Sequence, residues 1–239
     1  MLTLFFVEDL PTTVGATYEF NNDDANHAIR VLRIGTGEIF NLSDGAGSWS
    51  RVQVLTVAKK SMQVKVVETG HQDALDTHFT VIQAIPKGDR IKESIELSTA
   101  GGADVILLWA ATRSIGKGTP DLMQKLATTA REASKQTRRH RIPFVMGVLD
   151  AKKIAAEIPN YDLAIIFHES AAQKLTDVVK PGAKKVLLII GPEGGISDSE
   201  LSVLEGAGAH IVGLGPEVFR SAHAGGAALS AVSALIGRW

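Results

Sequence analysis

Hydrophobic and polar positions follow two different rhythms along the 239 residues, and the change falls near residue 75. Up to residue 68 the apolar runs are short and of period two, over 2–7, 16–20, 38–44, 49–57 and 62–67. Strands of that length between Gly-, Asp- and Asn-bearing turns predict a small β-barrel. The stretch 23–32 departs from this rhythm. Ala25, Ala28, Ile29 and Leu32 recur at helical spacing toward a core, and Asn22 or Asp23 stands where an N-cap belongs. His27, Arg30 and Arg33 then fall together on the outward face. The polar segment 70–77 reads as a linker, so the expected domains are 1–72 and 76–239.

Beyond the linker, apolar runs at 79–85, 105–109, 144–148, 163–167, 186–190 and 211–214 alternate with helical patterns. Those patterns cover 89–99, 121–138, a segment from 171, one from 198, and 224–236. Alternation of this kind predicts an α/β domain, a parallel sheet with helices on both faces. The run 186–190 is wholly apolar, as a strand buried on both faces must be. It ends in Gly191-Pro-Glu-Gly-Gly195, and Ser197-Asp-Ser-Glu200 just beyond has the form of a capping box. A glycine loop between a buried strand and a capped helix lies where open α/β sheets bind ligands. The loops at 168–170 and 213–220 also follow apolar strands, so all three can meet at one sheet edge.

Composition narrows the chemistry. Apolar residues make up 45% of the chain, yet none of their runs reaches the ~18 residues of a membrane span. Met1-Leu-Thr-Leu-Phe-Phe-Val7 lacks the basic start and small-residue cleavage site of a signal peptide, so a soluble cytoplasmic protein is expected. The absence of cysteine excludes disulfides, thiolate metal sites and cysteine nucleophiles. Seven histidines without ligand spacing predict no metal.

The net charge of −1 hides a local excess: eight Lys or Arg lie between 113 and 141, against Asp121 and Glu132. Arg131, Lys135, Arg138 and Arg139 recur along one face of the 121–138 helix and lead into His140 and Arg141. The stripe reads either as a solvated helix end complementing the helix dipole or as a footprint for phosphates. Nucleotide motifs fail. Gly116-Lys117-Gly118 hints at a P-loop, but Ala111 and Gly118 stand where that motif needs Gly and Ser or Thr. No G-x-G-x-x-G joins the first strand and helix of the α/β half.

Several motifs in order carry a resemblance. They are His27-Ala-Ile-Arg-Val-Leu-Arg33 with Gly37, Asp44-Gly45 and Gly47; Gln83-Ala-Ile-Pro-Lys-Gly-Asp-Arg90; and Arg113-Ser114. Glu132 with Gln136, Arg139 and Ile142-Pro143 follow, then Gly191-Pro-Glu-Gly-Gly195 with Glu200, and Leu214-Gly215 with Val218, Phe219 and Arg220. Nearly end to end, the chain resembles the RsmE family, the 16S ribosomal RNA uridine-N3 methyltransferases of the SPOUT class. The resemblance implies a SPOUT-type trefoil-knotted parallel sheet behind a small N-terminal PUA-like β-barrel. It also implies S-adenosyl-L-methionine (SAM) as cofactor, 16S rRNA of the small ribosomal subunit as partner, and a homodimer. In two places the chain departs from the family pattern: Ser221-Ala-His-Ala224 stands where many members carry Thr-Glu-Thr-Ala, and Thr99-Ala-Gly101 where Glu-Leu-Gly usually ends a helix.

The implied cofactor contacts are His168, Glu169, Ile190, Gly191, Pro192, Glu193, Gly194, Gly195, Leu214, Gly215 and Val218. Glu193 reads equally as a partner of the cofactor's ammonium and as a support for Arg220. His168 reads equally as a ligand contact and as a hydrogen-bonded structural residue. Uridine N3 attacks as an anion whose charge spreads onto O2 and O4, and Arg220 is the candidate catalytic residue because a guanidinium aimed at those oxygens favours proton loss. RNA phosphates would meet Arg30, Arg33, Lys87, Arg90, Arg113, Arg131, Lys135, Arg139 and Arg141. Phe219, the aromatic beside the site, reads more readily as core than as a stacking platform. The alternatives are another SPOUT-class RNA methyltransferase, acting on tRNA or large-subunit RNA, a non-catalytic RNA-binding protein on the same fold, and a doubly wound nucleotide enzyme.

Overall fold

The period-two runs of the first part fold as strands β1 (Leu4–Phe6), β2 (Thr17–Phe20), β3 (Ile39–Ser43), β4 (Ser48–Val57) and β5 (Met62–His71), with helix α1 (Asp23–Arg30) after β2. This computed structural model describes residues 2–116 and 118–239, so Lys117 of the Gly-Lys-Gly triplet lies outside the described residues. The strands form one sheet in the order β1-β3-β4-β5-β2; among the described residues the edge strands β1 and β2 do not pair, so the expected barrel is a half-barrel. Alternation places Met62, Val64 and Val66 inward and Gln63 and Lys65 outward on β5. The rings of Phe5, Phe20 and Phe40 pack tilted or edge-on at 5.3–5.6 Å between centroids.

Asn22 caps α1, its side chain accepting from the Ala25 amide, and Ala25 and Ala28 are buried as expected. Leu32 is not in the core. It is 44% exposed, because the helix ends at Arg30 and Arg33 takes a left-handed φ of 56°, turning the chain so that Ile34 packs inward instead.

By proximity the chain divides into two units, one formed by the residues up to Ala74 with Ser134–Ile142, the other by Leu75–Ala133 with Pro143–Trp239. That Ser134–Ile142 joins the barrel was not legible in the sequence. The Lys135 ammonium sits 2.6 Å from the Asp24 carboxylate, with both side chains nearly buried. The turn Asp44-Gly-Ala-Gly47 receives the following residues: the Ile142 amide donates to Gly45 O at 2.9 Å and the Gly47 amide to His140 O at 3.0 Å. A Cβ at Gly45 would come 2.7 Å from the Ile142 side chain, and one at Gly47 2.6 Å from Gln72 O. The His140 ring stacks on Trp49 at 5.8 Å, and its burial pushes the imidazole below its ordinary pKa although Asp44 pulls the other way.

The second unit carries, in chain order, β6 (His78–Ala84), α2 (Arg90–Gly101), β7 (Val105–Trp109), most of α3 (Pro120–Thr137), β8 (Phe144–Leu149) and α4 (Ala151–Glu157). It continues with β9 (Leu163–Phe167), β10 (Gln173–Lys174), α5 (Leu175–Val178), β11 (Lys185–Ile190), α6 (Asp198–Gly206), β12 (His210–Gly213) and α7 (Ser221–Ile236). Its seven strands are all parallel, in the order β10-β12-β9-β11-β6-β7-β8. β11 lies between β6 and β9, and Val186–Ile190 are buried. Helix α7 returns from the β12 side to pack on α2, β6 and β11.

Two elements differ from expectation. The segment from 171 is not a helix at its start: Gln173 and Lys174 pair with Val212 and Gly213, covering the free edge of β12, and a single helical turn follows. Helix α4 was not expected, since seven residues are too few to show a period, although Asp150 caps it by accepting from the Lys153 amide at 2.9 Å.

The capping box is present. Ser197 and Glu200 bond each other reciprocally at the start of α6, and Glu200 also accepts from the Thr112 amide at 2.8 Å. Burial raises the Glu200 carboxyl, but hydrogen bonds from the Ser197 hydroxyl, the Thr112 amide and the Ser197 amide outweigh it and hold the group below its ordinary pKa. A lowered folded pKa contributes stability above the ordinary carboxyl range that is lost as pH falls through the folded value. Glu200→Gln sets an amide donor against donors and should cost about 1–3 kcal/mol near pH 7. Urea unfolding should show this gap closing as the pH is lowered into the acid range; a gap independent of pH would contradict the assignment.

Candidate functional site

Parallel strands end on one edge, so the loops after β9, β11 and β12 leave the sheet together. They enclose a cavity of about 280 Å³. Of the residues expected from sequence, His168, Glu169, Ile190, Gly191, Pro192, Glu193, Gly195, Leu214, Gly215, Val218 and Arg220 all line it. Gly194 does not; its carbonyl instead accepts from the Arg113 guanidinium at 3.2 Å. Phe167, Ile196, Glu217, Phe219, Ser221 and Ala224 line the cavity and were not assigned to it from sequence. Phe219 is 45% exposed, so it is a wall residue and not core.

The loop backbone is built for close approach. Gly195 has φ +75° and Gly215 φ +155°, and a Cβ at Gly191 would come 2.7 Å from Ile196. The walls are apolar at Phe167, Ile190, Leu214 and Val218, and the charged lining is Glu169, Glu193 and Glu217 against Arg220. Apolar walls with an excess of carboxylates suit a ligand that joins an apolar ring to a positive charge. His168 Nδ1 accepts from the Ser170 amide at 3.3 Å and lies 2.9 Å from its hydroxyl, which holds the loop after β9 in shape.

A buried polar node supports the glycine loop from beneath. Gln83 at the end of β6 donates to Ala84 O at 2.9 Å and to the Ser221 hydroxyl at 3.0 Å, and accepts from the Ser94 hydroxyl at 2.7 Å. Ser221 in turn donates to Gly191 O at 2.6 Å. One chain of bonds thus ties β6, α2, the start of α7 and the first residue of the loop. Each donor of the Gln83 amide and the single hydroxyl hydrogen of Ser221 is used. Nearby, His223 Nε2 lies 2.9 Å from the Glu93 carboxylate.

The basic residues are not one row of free cations. Arg30 and Arg33 are exposed around the end of α1. Lys135 is committed to Asp24, Arg131 and Arg139 are half-buried, and Arg141 donates to Gln72 O at 3.0 Å with His71 Nε2 at 3.2 Å. The helical spacing was right, but it carried no information about the groups that Lys135 and Arg141 meet. Lys87 and Arg90 line a second cavity of about 680 Å³, beside the first. Among the described residues no cluster of His, Asp or Glu has the geometry of a metal site, and no helix is long and apolar enough to cross a membrane.

Known proteins resemble this chain over nearly its whole length. A family model described as an RNA methyltransferase domain matches residues 73–233, and one described as an RNA methyltransferase PUA domain matches 20–67. Ribosomal RNA small subunit methyltransferase E of Mycobacterium tuberculosis is 36% identical over 244 residues, covering 99% of this chain and 93% of the relative. The Bacillus subtilis protein of the same name is 25% identical, covering 97% and 93%. A Legionella pneumophila methyltransferase solved with bound cofactor SAM superposes with a TM-score of 0.87 at 26% identity, covering 98% of each chain. Ribosomal RNA small subunit methyltransferase E of Neisseria gonorrhoeae, solved bound to S-adenosyl methionine, shares the fold with a TM-score of 0.88 at 24% identity, again over 98% of each chain.

The Gln83 node predicts how the loop responds to Ser221. Ser221→Ala leaves the Gly191 carbonyl and a Gln83 N–H without their partner, at a cost of about 1–3 kcal/mol. Amide hydrogen exchange across 191–195 should quicken, and Ser221→Thr should restore it. Unchanged exchange in the alanine variant would show that the hydroxyl does not hold the loop.

Proposed function

The chain belongs to the RsmE family of small-subunit ribosomal RNA methyltransferases, and from that premise we propose that it methylates N3 of a uridine in 16S rRNA with SAM as donor. The observation that carries this reading is the cavity at the strand ends, lined by a glycine loop that lets backbone approach a ligand, by apolar walls, and by three carboxylates and one arginine. When bound, the cofactor supplies a methyl group already activated by its positive sulfonium.

The chain's own residues then have definite tasks. The backbone of 190–195 and 214–218 holds the nucleoside and amino-acid parts of the cofactor, with Phe167 and Val218 as walls. Arg220 stays protonated, so its role is to stabilise negative charge on uracil O2 and O4 and thereby favour loss of the N3 proton. Arg113, anchored on Gly194 O, braces the loop from outside the cavity. The barrel of residues 1–72 serves the RNA and residues 76–239 the chemistry. Arg30, Arg33, Lys87 and Arg90, all exposed, are the cations best placed for phosphates. A homodimer acting in the cytoplasm completes the proposal.

Two measurements test the reading. Calorimetry should show binding of SAM and of S-adenosylhomocysteine, and none of ATP or NAD; NAD binding without SAM binding would overturn it. Arg220→Ala should keep cofactor and RNA affinity while single-turnover methyl transfer falls by a factor on the order of 10². Hydroxide can remove the N3 proton unaided, so the rate of the variant should climb with pH more steeply than that of the wild type. Equal turnover by the two proteins would remove Arg220 from the mechanism.

A further inference from the structure

Glu193 belongs to two cavities. On one side it lines the pocket of strand-end loops, and on the other it closes the groove of about 680 Å³ that contains Lys87, Arg90, Glu93 and Ile115. A methyl acceptor must meet the donor at a shared boundary, and among the described residues Glu193 is the one the two cavities share. The charges of the groove are not equivalent. Glu93 is engaged by His223 at 2.9 Å and Asp89 lies 3.6 Å from Lys92. Lys87, Arg90 and Glu193 carry no ion pair among the described residues, and all three are exposed. Ile115, 69% exposed, gives the groove an apolar face beside them.

We propose that this groove is the acceptor subsite, holding one nucleotide turned out of the RNA: Lys87 and Arg90 take its phosphate, Ile115 packs on the pyrimidine face, and Glu193 accepts the N3–H. The inference rests on the proposed function and extends it to substrate choice. A carboxylate is an acceptor only, so it pairs with the N3–H of uracil and opposes the N3 lone pair of cytosine. Uracil is thereby selected by a charge-assisted hydrogen bond, the kind of contact whose absence a polar site rejects most strongly. The same contact moves the proton. The N3–H bond breaks, its electron pair stays on N3, the proton passes to a Glu193 oxygen, and from that exposed carboxyl it leaves to water. Arg220, on the cofactor side of Glu193, stabilises the oxygens over which the remaining charge spreads.

The test uses the full chain saturated with S-adenosylhomocysteine, which has no methyl to transfer. Uridine 5′-monophosphate, cytidine 5′-monophosphate and uridine are titrated in, and binding is read from NMR shifts. The uridine nucleotide should bind on the order of tenfold more tightly than either of the others, the scale of one charge-assisted hydrogen bond or phosphate contact. Lys87→Ala with Arg90→Ala should bring it to the level of uridine, and Glu193→Ala to the level of the cytidine nucleotide. Glu193→Gln keeps an acceptor oxygen but cannot take the proton. It should therefore retain nucleotide affinity within a few-fold, while single-turnover transfer to small-subunit RNA slows and becomes more dependent on pH. Equal affinity for uracil and cytosine nucleotides in the wild type would overturn the proposal. So would uridine 5′-monophosphate binding unaffected by loss of Lys87 and Arg90, or absence of saturable binding at millimolar concentrations. S-adenosylhomocysteine affinity, measured by calorimetry on every protein, separates the two levels: its absence in the wild type brings down the proposed function itself, and its retention confines a failure to the subsite.

Discussion

A strand with five consecutive apolar side chains must be covered on both faces and paired on both edges. Val186–Ile190 meets that demand only at the middle of a parallel sheet, with β6 on one side and β9 on the other. Parallel pairing then fixes direction. β6, β9, β11 and β12 all end on the same edge, and the loops that follow three of them close around one cavity. The site is therefore a consequence of strand direction before it is a consequence of any single side chain.

What the sheet delivers approximately, the buried node at Gln83 makes definite. A glutamine with no exposure at the end of a strand is costly unless all its bonds are made, and here they are made to three elements at once. Ser221 passes the constraint to Gly191, so the glycine loop and the start of α7, which carries Arg220 at its N-terminal boundary, share one anchor. Next to Ser221, Ala222 is buried, and His223 lies against a carboxylate on α2.

Much of this was legible in the sequence because it depends on local signals. Apolar runs fixed the strands, the Ser197–Glu200 spacing announced its helix, and the glycine loop marked the edge where the ligand belongs. The parts that escaped depend on contacts between residues far apart in the chain. Helix α4 is too short to show a period, and β10 exists because β12 has an edge to cover. Lys135 belongs to a regular basic spacing, yet Asp24, more than a hundred residues earlier, takes its charge. Phe219 looked like core by type, and the strand-end position of its loop puts it on the wall of the cavity instead. The sharing of Glu193 between two cavities follows from the turn after β6 lying next to the loop after β11, since those strands are neighbours in the sheet and distant in the chain.

The central claim is that this sheet edge delivers a methyl group to N3 of a uridine in the small-subunit RNA. Purified small ribosomal subunits lacking the modification can be incubated with the protein and SAM, and their RNA mapped by nucleoside mass spectrometry. The account predicts that one uridine gains a single methyl group on the base at N3. Methylation of a ribose, methylation of another base, or RNA that remains unmodified would contradict it.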